Sequence, residues 1–143
     1  MVDVLVGHSQ SAFIEGRSIL DNVIVAHELI RGYGQKYVSP RCFMKMDIKK
    51  AYDSVEWGFL QMILIEYGFP TKIIKRIMTC VTAVSYSVIV NGNLTKKLSA
   101  KKGLRQRDPM SPYLFVLVME YLNRSLKQWR HNPNFNCHPR TEG

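Results

Sequence analysis

The sequence has 143 residues, 46% of them hydrophobic, with 20 basic and 11 acidic side chains and a formal net charge of +9. That apolar content excludes intrinsic disorder as the default, and the length suits one domain or part of a larger one. The longest apolar run, residues 113–119, is far short of the roughly 20 residues that span a bilayer, so no membrane association is expected.

Residues 1–10 lack the basic and apolar regions of a secretory signal. Cys42, Cys80 and Cys137 contain no CxxC pair, which fits reduced thiols and an intracellular protein, nuclear or cytoplasmic. His131, Cys137 and His138 make at best a partial zinc set in a tail without periodicity.

The first element expected is a helix over 18–30, capped by Ser18 or Asp21, with Leu20, Val23, Ile24 and Ile30 near one face and Gly32 and Gly34 stopping it. Residues 42–48 alternate as a strand should. Cys42, Met44 and Met46 share the face suited to packing on helices, and Phe43, Lys45 and Asp47 share the face suited to a cleft. A helix over 54–67 follows, ending at Gly68 with Pro70 beyond, and another over 71–81 with Ile73, Ile74, Ile77 and Met78 inward. Residues 85–90 and 94–102 flank Asn91-Gly92, the turn pair of a hairpin. Ser111 as cap and Pro112 behind it open the last helix, amphipathic through Leu122, Leu126 and Trp129. Helices and strands in this irregular order predict an α+β fold.

Charge is unevenly spread. Residues 1–30 hold Arg17 against Asp3, Glu15, Asp21 and Glu28, whereas residues 91–107 hold Lys96, Lys97, Lys101, Lys102, Arg105 and Arg107 and no acid. Such a cluster suits a phosphodiester backbone, or equally a solvated surface. Asp47, at the end of its segment, could hold Mg²⁺ with hard oxygen donors or simply cap a turn. The loop 103–112 feeds a helix amino terminus, which attracts phosphate, or is an ordinary capped loop.

Taken together these segments are more specific. Phe43-Met44-Lys45-Met46-Asp47-Ile48-Lys49-Lys50-Ala51-Tyr52-Asp53-Ser54-Val55 resembles motif A of reverse transcriptases from non-LTR (LINE-type) retrotransposons, the plant-type version in particular. Gly103-Leu104-Arg105-Gln106-Arg107-Asp108-Pro109-Met110-Ser111-Pro112 resembles their motif B, usually written GLRQGDPLSP. Residues 10–22 resemble the upstream fingers segment, and Val90-Asn91-Gly92 the hairpin before motif B.

The resemblance implies part of a palm and fingers, with a short sheet packed on helices, over residues 1–131 and an unstructured tail over 132–143. It implies an RNA template, a DNA primer and deoxynucleotides as partners and Mg²⁺ as cofactor. Asp47 matches the catalytic, metal-binding aspartate, and the carbonyl of Ile48 a second ligand. Tyr52 matches the aromatic gate beneath the incoming sugar, Gln106 the glutamine that contacts nucleotide and template, and Arg17 a basic residue toward template or triphosphate. Lys96, Lys97, Lys101, Lys102 and Arg105 are the candidate nucleic-acid contacts.

Two departures stand out. Arg107 replaces the glycine that lets the motif B backbone approach a nucleotide. The aromatic-x-Asp-Asp of motif C, expected after Asn136-Cys137-His138-Pro139, does not occur in these residues. The expectation is therefore a reverse-transcriptase fragment inactive by itself, because two-metal transfer needs carboxylates from both motifs. The alternatives are a non-catalytic nucleic-acid-binding remnant and the product of a degenerate reading frame.

Overall fold

The computed structural model describes residues 5–7, 10–31, 33, 43–129 and 132. The elements that lie within these residues follow in the order α1 (Ile19–Arg31), α2 (Trp57–Glu66), α3 (Thr71–Thr82), β1 (Ser85–Tyr86), β2 (Ile89–Val90), β3 (Asn93–Leu94), β4 (Leu98–Ser99), α4 (Ser111–Gln128). The mixture of helices with small antiparallel sheets agrees with the α+β expectation. The chain divides into two compact units, Met1–Asp47 with Met119–Gly143, and Ile48–Val118. The division falls once between Asp47 and Ile48 and once inside α4.

In the first unit, the Leu20 amide donates to Ser18 Oγ at 3.2 Å, so Ser18 caps α1. No side chain of α1 is buried; Leu20, Val23 and Ile24 are exposed, so the apolar stripe seen in the sequence is uncovered. The small core lies elsewhere. Val6 and Ile14 are buried, and so is Glu120 on α4, in the same unit. Its carboxylate accepts from Arg124 Nε at 3.0 Å and Asn123 Nδ2 at 3.3 Å, satisfying a group that burial would otherwise penalise. Arg124 also donates to the carbonyl of Leu5.

Among the described residues, the segment expected as a strand over 42–48 pairs with no other strand. Residues 43–48 form no regular element, and Cys42 lies outside the described residues. Met44 and Met46 are 74% and 58% exposed, contrary to the buried face expected for them. Alternating side chains produce a half-buried strand only when a neighbouring strand supplies ladder bonds and a core face. Asp47 is exposed too, like every residue from 43 to 48, so the expected alternation of a buried and an open face is not present.

The second unit holds the main core. Leu60, Ile63 and Leu64 of α2 and Val116 and Leu117 of α4 are fully buried, joined by Ile74, Val81, Val55, Leu104 and Leu114. Helices α2 and α3 pack as a hairpin. Its corner closes by a Schellman motif: Gly68, at φ 74°, donates to the Ile65 carbonyl at 2.9 Å, and Phe69 to that of Leu64 at 3.1 Å. Pro70 then starts α3. Ile74 is buried as expected, whereas Ile73 is 38% exposed.

Helix α2 starts three residues later than the sequence suggested. Ser54 belongs to a turn instead: its amide donates to the Lys50 carbonyl at 3.0 Å and its hydroxyl to the Ala51 carbonyl at 2.8 Å.

The hairpin is shorter and more irregular than expected. β1 pairs with β4 through Ser85↔Ser99 and Tyr86↔Leu98, and β2 with β3 through Ile89↔Leu94 and Val90↔Asn93. Between the two ladders, Ser87 and Val88 face Thr95, Lys96 and Lys97, so one extra residue forms a bulge. Asn91 at φ 50° and Gly92 at φ 80° make the tight left-handed turn that the Asn-Gly pair predicted.

Candidate functional site

The turn around Tyr52 and the loop around Leu104, which lie in the segments that resemble motifs A and B, are bonded to each other within the second unit. Leu104 donates its amide to the Tyr52 carbonyl at 2.8 Å, and Gly103 donates to the Val55 carbonyl at 2.8 Å. The indole Nε1 of Trp57 donates to the Gly103 carbonyl at 2.8 Å. Gly103, at φ 95°, needs to be glycine: a Cβ there would lie 3.1 Å from Asp53 Cα and 3.2 Å from the Asp53 carbonyl oxygen. Lys102 closes the rim with an ion pair to Glu56 at 3.1 Å. Both partners are exposed, so that pair contributes about 0–1 kcal/mol.

Above this junction the ring of Tyr52 stacks on Phe115 of α4, with centroids 4.9 Å apart and planes 19° from parallel. A stacked aromatic pair contributes about 0.5–1.5 kcal/mol beyond its buried area. Sequence reasoning identified Tyr52 but neither Phe115 nor Trp57. Phe115 sits one turn inside the helix that follows motif B, and Trp57 bonds a residue 46 positions away, so no local pattern marks either contact.

The start of α4 also differs from the expectation. Ser111 is the first residue of the helix and is buried. Ahead of it Asp108 closes a turn: its carboxylate accepts from the Met110 amide at 2.9 Å and its carbonyl from the Ser111 amide at 3.1 Å. Gln106, Arg105 and Arg107 are exposed on the loop before it. Arg107 has φ 66°, the left-handed region that glycine occupies without strain. The departure from the motif thus falls on a residue whose backbone favours glycine.

The remaining candidates are placed as follows. Lys96 and Lys97 are exposed in the hairpin bulge, and Lys101 is exposed on the approach to motif B. Arg17 lies in the first unit, and its guanidinium is committed to backbone: Nη1 donates to the carbonyls of Gly7 at 2.6 Å and Gln10 at 2.8 Å, and Nη2 to that of Val6 at 3.3 Å. That fork closes the loop between residues 6 and 17, a role its charge alone did not reveal.

Asp47 presents an exposed carboxylate and Ile48 a backbone carbonyl, both hard oxygen donors of the kind Mg²⁺ takes. Among the described residues no group of three or more His, Cys, Asp or Glu lies close enough to hold a metal ion. His131, Cys137 and His138, with nearly all of the expected tail over 132–143, lie outside the described residues. No helix among the described residues is long and apolar enough to cross a membrane.

A family model described as reverse transcriptase (RNA-dependent DNA polymerase) matches residues 1–138. The chain belongs to the reverse transcriptase family. It is 30% identical over 111 residues to the transposon TX1 uncharacterized 149 kDa protein of Xenopus laevis, covering 78% of this chain and 8% of that one. It is 26% identical over 117 residues to the retrovirus-related Pol polyprotein from type-2 retrotransposable element R2DM of Drosophila melanogaster, covering 82% and 11%. The corresponding protein from the type-1 element R2 of Popillia japonica is 30% identical over 79 residues, covering 55% and 13%. The chain therefore spans about a tenth of the length of these relatives and is a reverse transcriptase domain sequence of retrotransposon kind.

Proposed function

We propose that these residues are the motif A and motif B portion of an RNA-directed DNA polymerase of a plant-type non-LTR retrotransposon, a partial palm and fingers. The junction between the two motifs, Leu104 to Tyr52 and Gly103 to Val55, carries the reading. It joins the two segments that the family uses on one nucleotide, with Leu104 lying 52 positions after Tyr52 and Gly103 48 positions after Val55.

In this reading Asp47 and the Ile48 carbonyl hold Mg²⁺, which when bound neutralises charge on the triphosphate. Tyr52 lies beneath the sugar of the incoming deoxynucleotide and excludes a 2′-hydroxyl by contact. Gln106 donates and accepts hydrogen bonds toward nucleotide and template. Lys96, Lys97, Lys101 and Arg105 meet phosphates of the RNA template and DNA primer, with Lys102 shared between phosphate and Glu56. Arg17 holds the segment before α1 and adds positive charge toward template or triphosphate.

The test is primer extension on a primed RNA with labelled deoxynucleotides. These residues are joined to the motif C and thumb portion of a relative, with Arg107→Gly introduced. Template-dependent synthesis that Asp47→Ala abolishes is the expected result. Synthesis unaffected by Asp47→Ala refutes the assignment of the metal ligand.

The exposed bulge lysines favour a second reading, a nucleic-acid-binding remnant without catalysis. It predicts RNA binding by the chain with no synthesis by the rebuilt enzyme.

A further inference from the structure

We propose that Phe115 is a positioning residue that sets the sugar discrimination of Tyr52; this rests on the reading of Tyr52 as the gate beneath the incoming sugar. The backbone of Tyr52 is already held, because its carbonyl accepts from Leu104 at 2.8 Å and the turn around it is closed by the Ser54 bond to Lys50 at 3.0 Å. What remains free is the rotation of the ring about its side-chain torsions. Phe115 removes that freedom by lying against one face, 4.9 Å between centroids and 19° from parallel.

A gate that excludes a single hydroxyl must hold its edge to within a fraction of an ångström. A ring able to swing aside admits the ribose and loses the discrimination without losing the nucleotide. With one face on Phe115, only the other face and the edge of Tyr52 are open to a ligand. Phe115 itself touches no sugar in this arrangement. It acts through Tyr52, from a helix whose neighbouring side chains Leu114, Val116 and Leu117 are buried and therefore rigidly seated.

The experiment measures equilibrium binding of dATP and of ATP to the chain in a buffer containing Mg²⁺, and takes the ratio of the two affinities. Phe115→Met keeps the volume while removing the flat partner, and Phe115→Tyr keeps the partner. The expected result is a preference for dATP that falls about two- to tenfold in Phe115→Met, the span that loss of a stacked pair covers, and persists in Phe115→Tyr. Affinity for ATP should rise while that for dATP changes little. In a Tyr52→Ala background, Phe115→Met should have no further effect on the ratio.

A folded Phe115→Met chain with an unchanged ratio overturns the proposal while leaving the gate intact. Should Phe115→Met fail to fold, Phe115→Leu at the same position reads the same ratio. A ratio indifferent to Tyr52→Ala, or a chain that binds neither nucleotide, refutes the gate reading and the proposal together.

Discussion

Arg107 shows how much a single backbone angle can decide. At φ 66° a side chain with a Cβ sits in the left-handed region, at a cost of about 1–2 kcal/mol relative to glycine. Glycine restores part of that cost to the unfolded state, through about 0.5–1 kcal/mol of added chain entropy. Arg107→Gly should therefore leave stability equal or raise it by up to about 1.5 kcal/mol. Arg107→Val, with branching at Cβ, should lower stability by about 1–2 kcal/mol. Urea unfolding of the two variants checks the contrast, and equal losses in both would show that the angle is not what matters. The sequence showed the substitution but not the angle, because φ depends on how the loop closes onto Tyr52 and Val55.

Among the elements, the α2–α3 hairpin and the β-ribbon contrast in what sustains them. Ile63 of α2 is fully buried, so Ile63→Ala should cost about 2–5 kcal/mol, read as a shift of the urea midpoint with unchanged slope. The ribbon buries little: Tyr86, Val88, Ile89, Val90, Leu94 and Leu98 are each at least half exposed. Its contribution is to present Lys96 and Lys97 in the bulge. If each meets a phosphate, Lys96→Ala or Lys97→Ala should lower the salt slope of RNA binding by about 0.7–0.9. Lys102→Ala should lower it less, because Glu56 competes for the ammonium at 3.1 Å. Titrations across several salt concentrations measure these slopes, and a flat dependence would mean that the lysines only solubilise the chain. The Asn-Gly turn was legible in the sequence, whereas the bulge was not, since it arises from a mismatch of register between two short ladders.

For the molecule as a whole, the reading proposed above gives Asp47 as one of the carboxylates that a two-metal site uses. A polypeptide of these 143 residues should show no DNA synthesis on a primed RNA with Mg²⁺, because one motif's carboxylate does not fix the pair of ions that phosphoryl transfer uses. Joining motif C and a thumb without Arg107→Gly should yield at most trace activity. Incorporation by the polypeptide alone, abolished by Asp47→Ala, would refute the requirement for a second carboxylate.

By itself the sequence determined the reverse transcriptase family, the Gly68 stop of α2 and the Asn91-Gly92 turn, and it narrowed the cap of α1 to Ser18 or Asp21. All of these are written in residues close together along the chain, where propensity and backbone geometry act directly. Tertiary structure alone decided that Met44 and Met46 are exposed, that the Arg17 guanidinium binds carbonyls, and that Tyr52 rests on Phe115. Alternation states which side chains share a face but not whether a partner strand exists to make that face a core. A side chain's charge or ring likewise does not name its partner when the partner comes from a distant segment, as with Trp57 and the Gly103 carbonyl 46 positions away. Only closure of the chain brings such groups together.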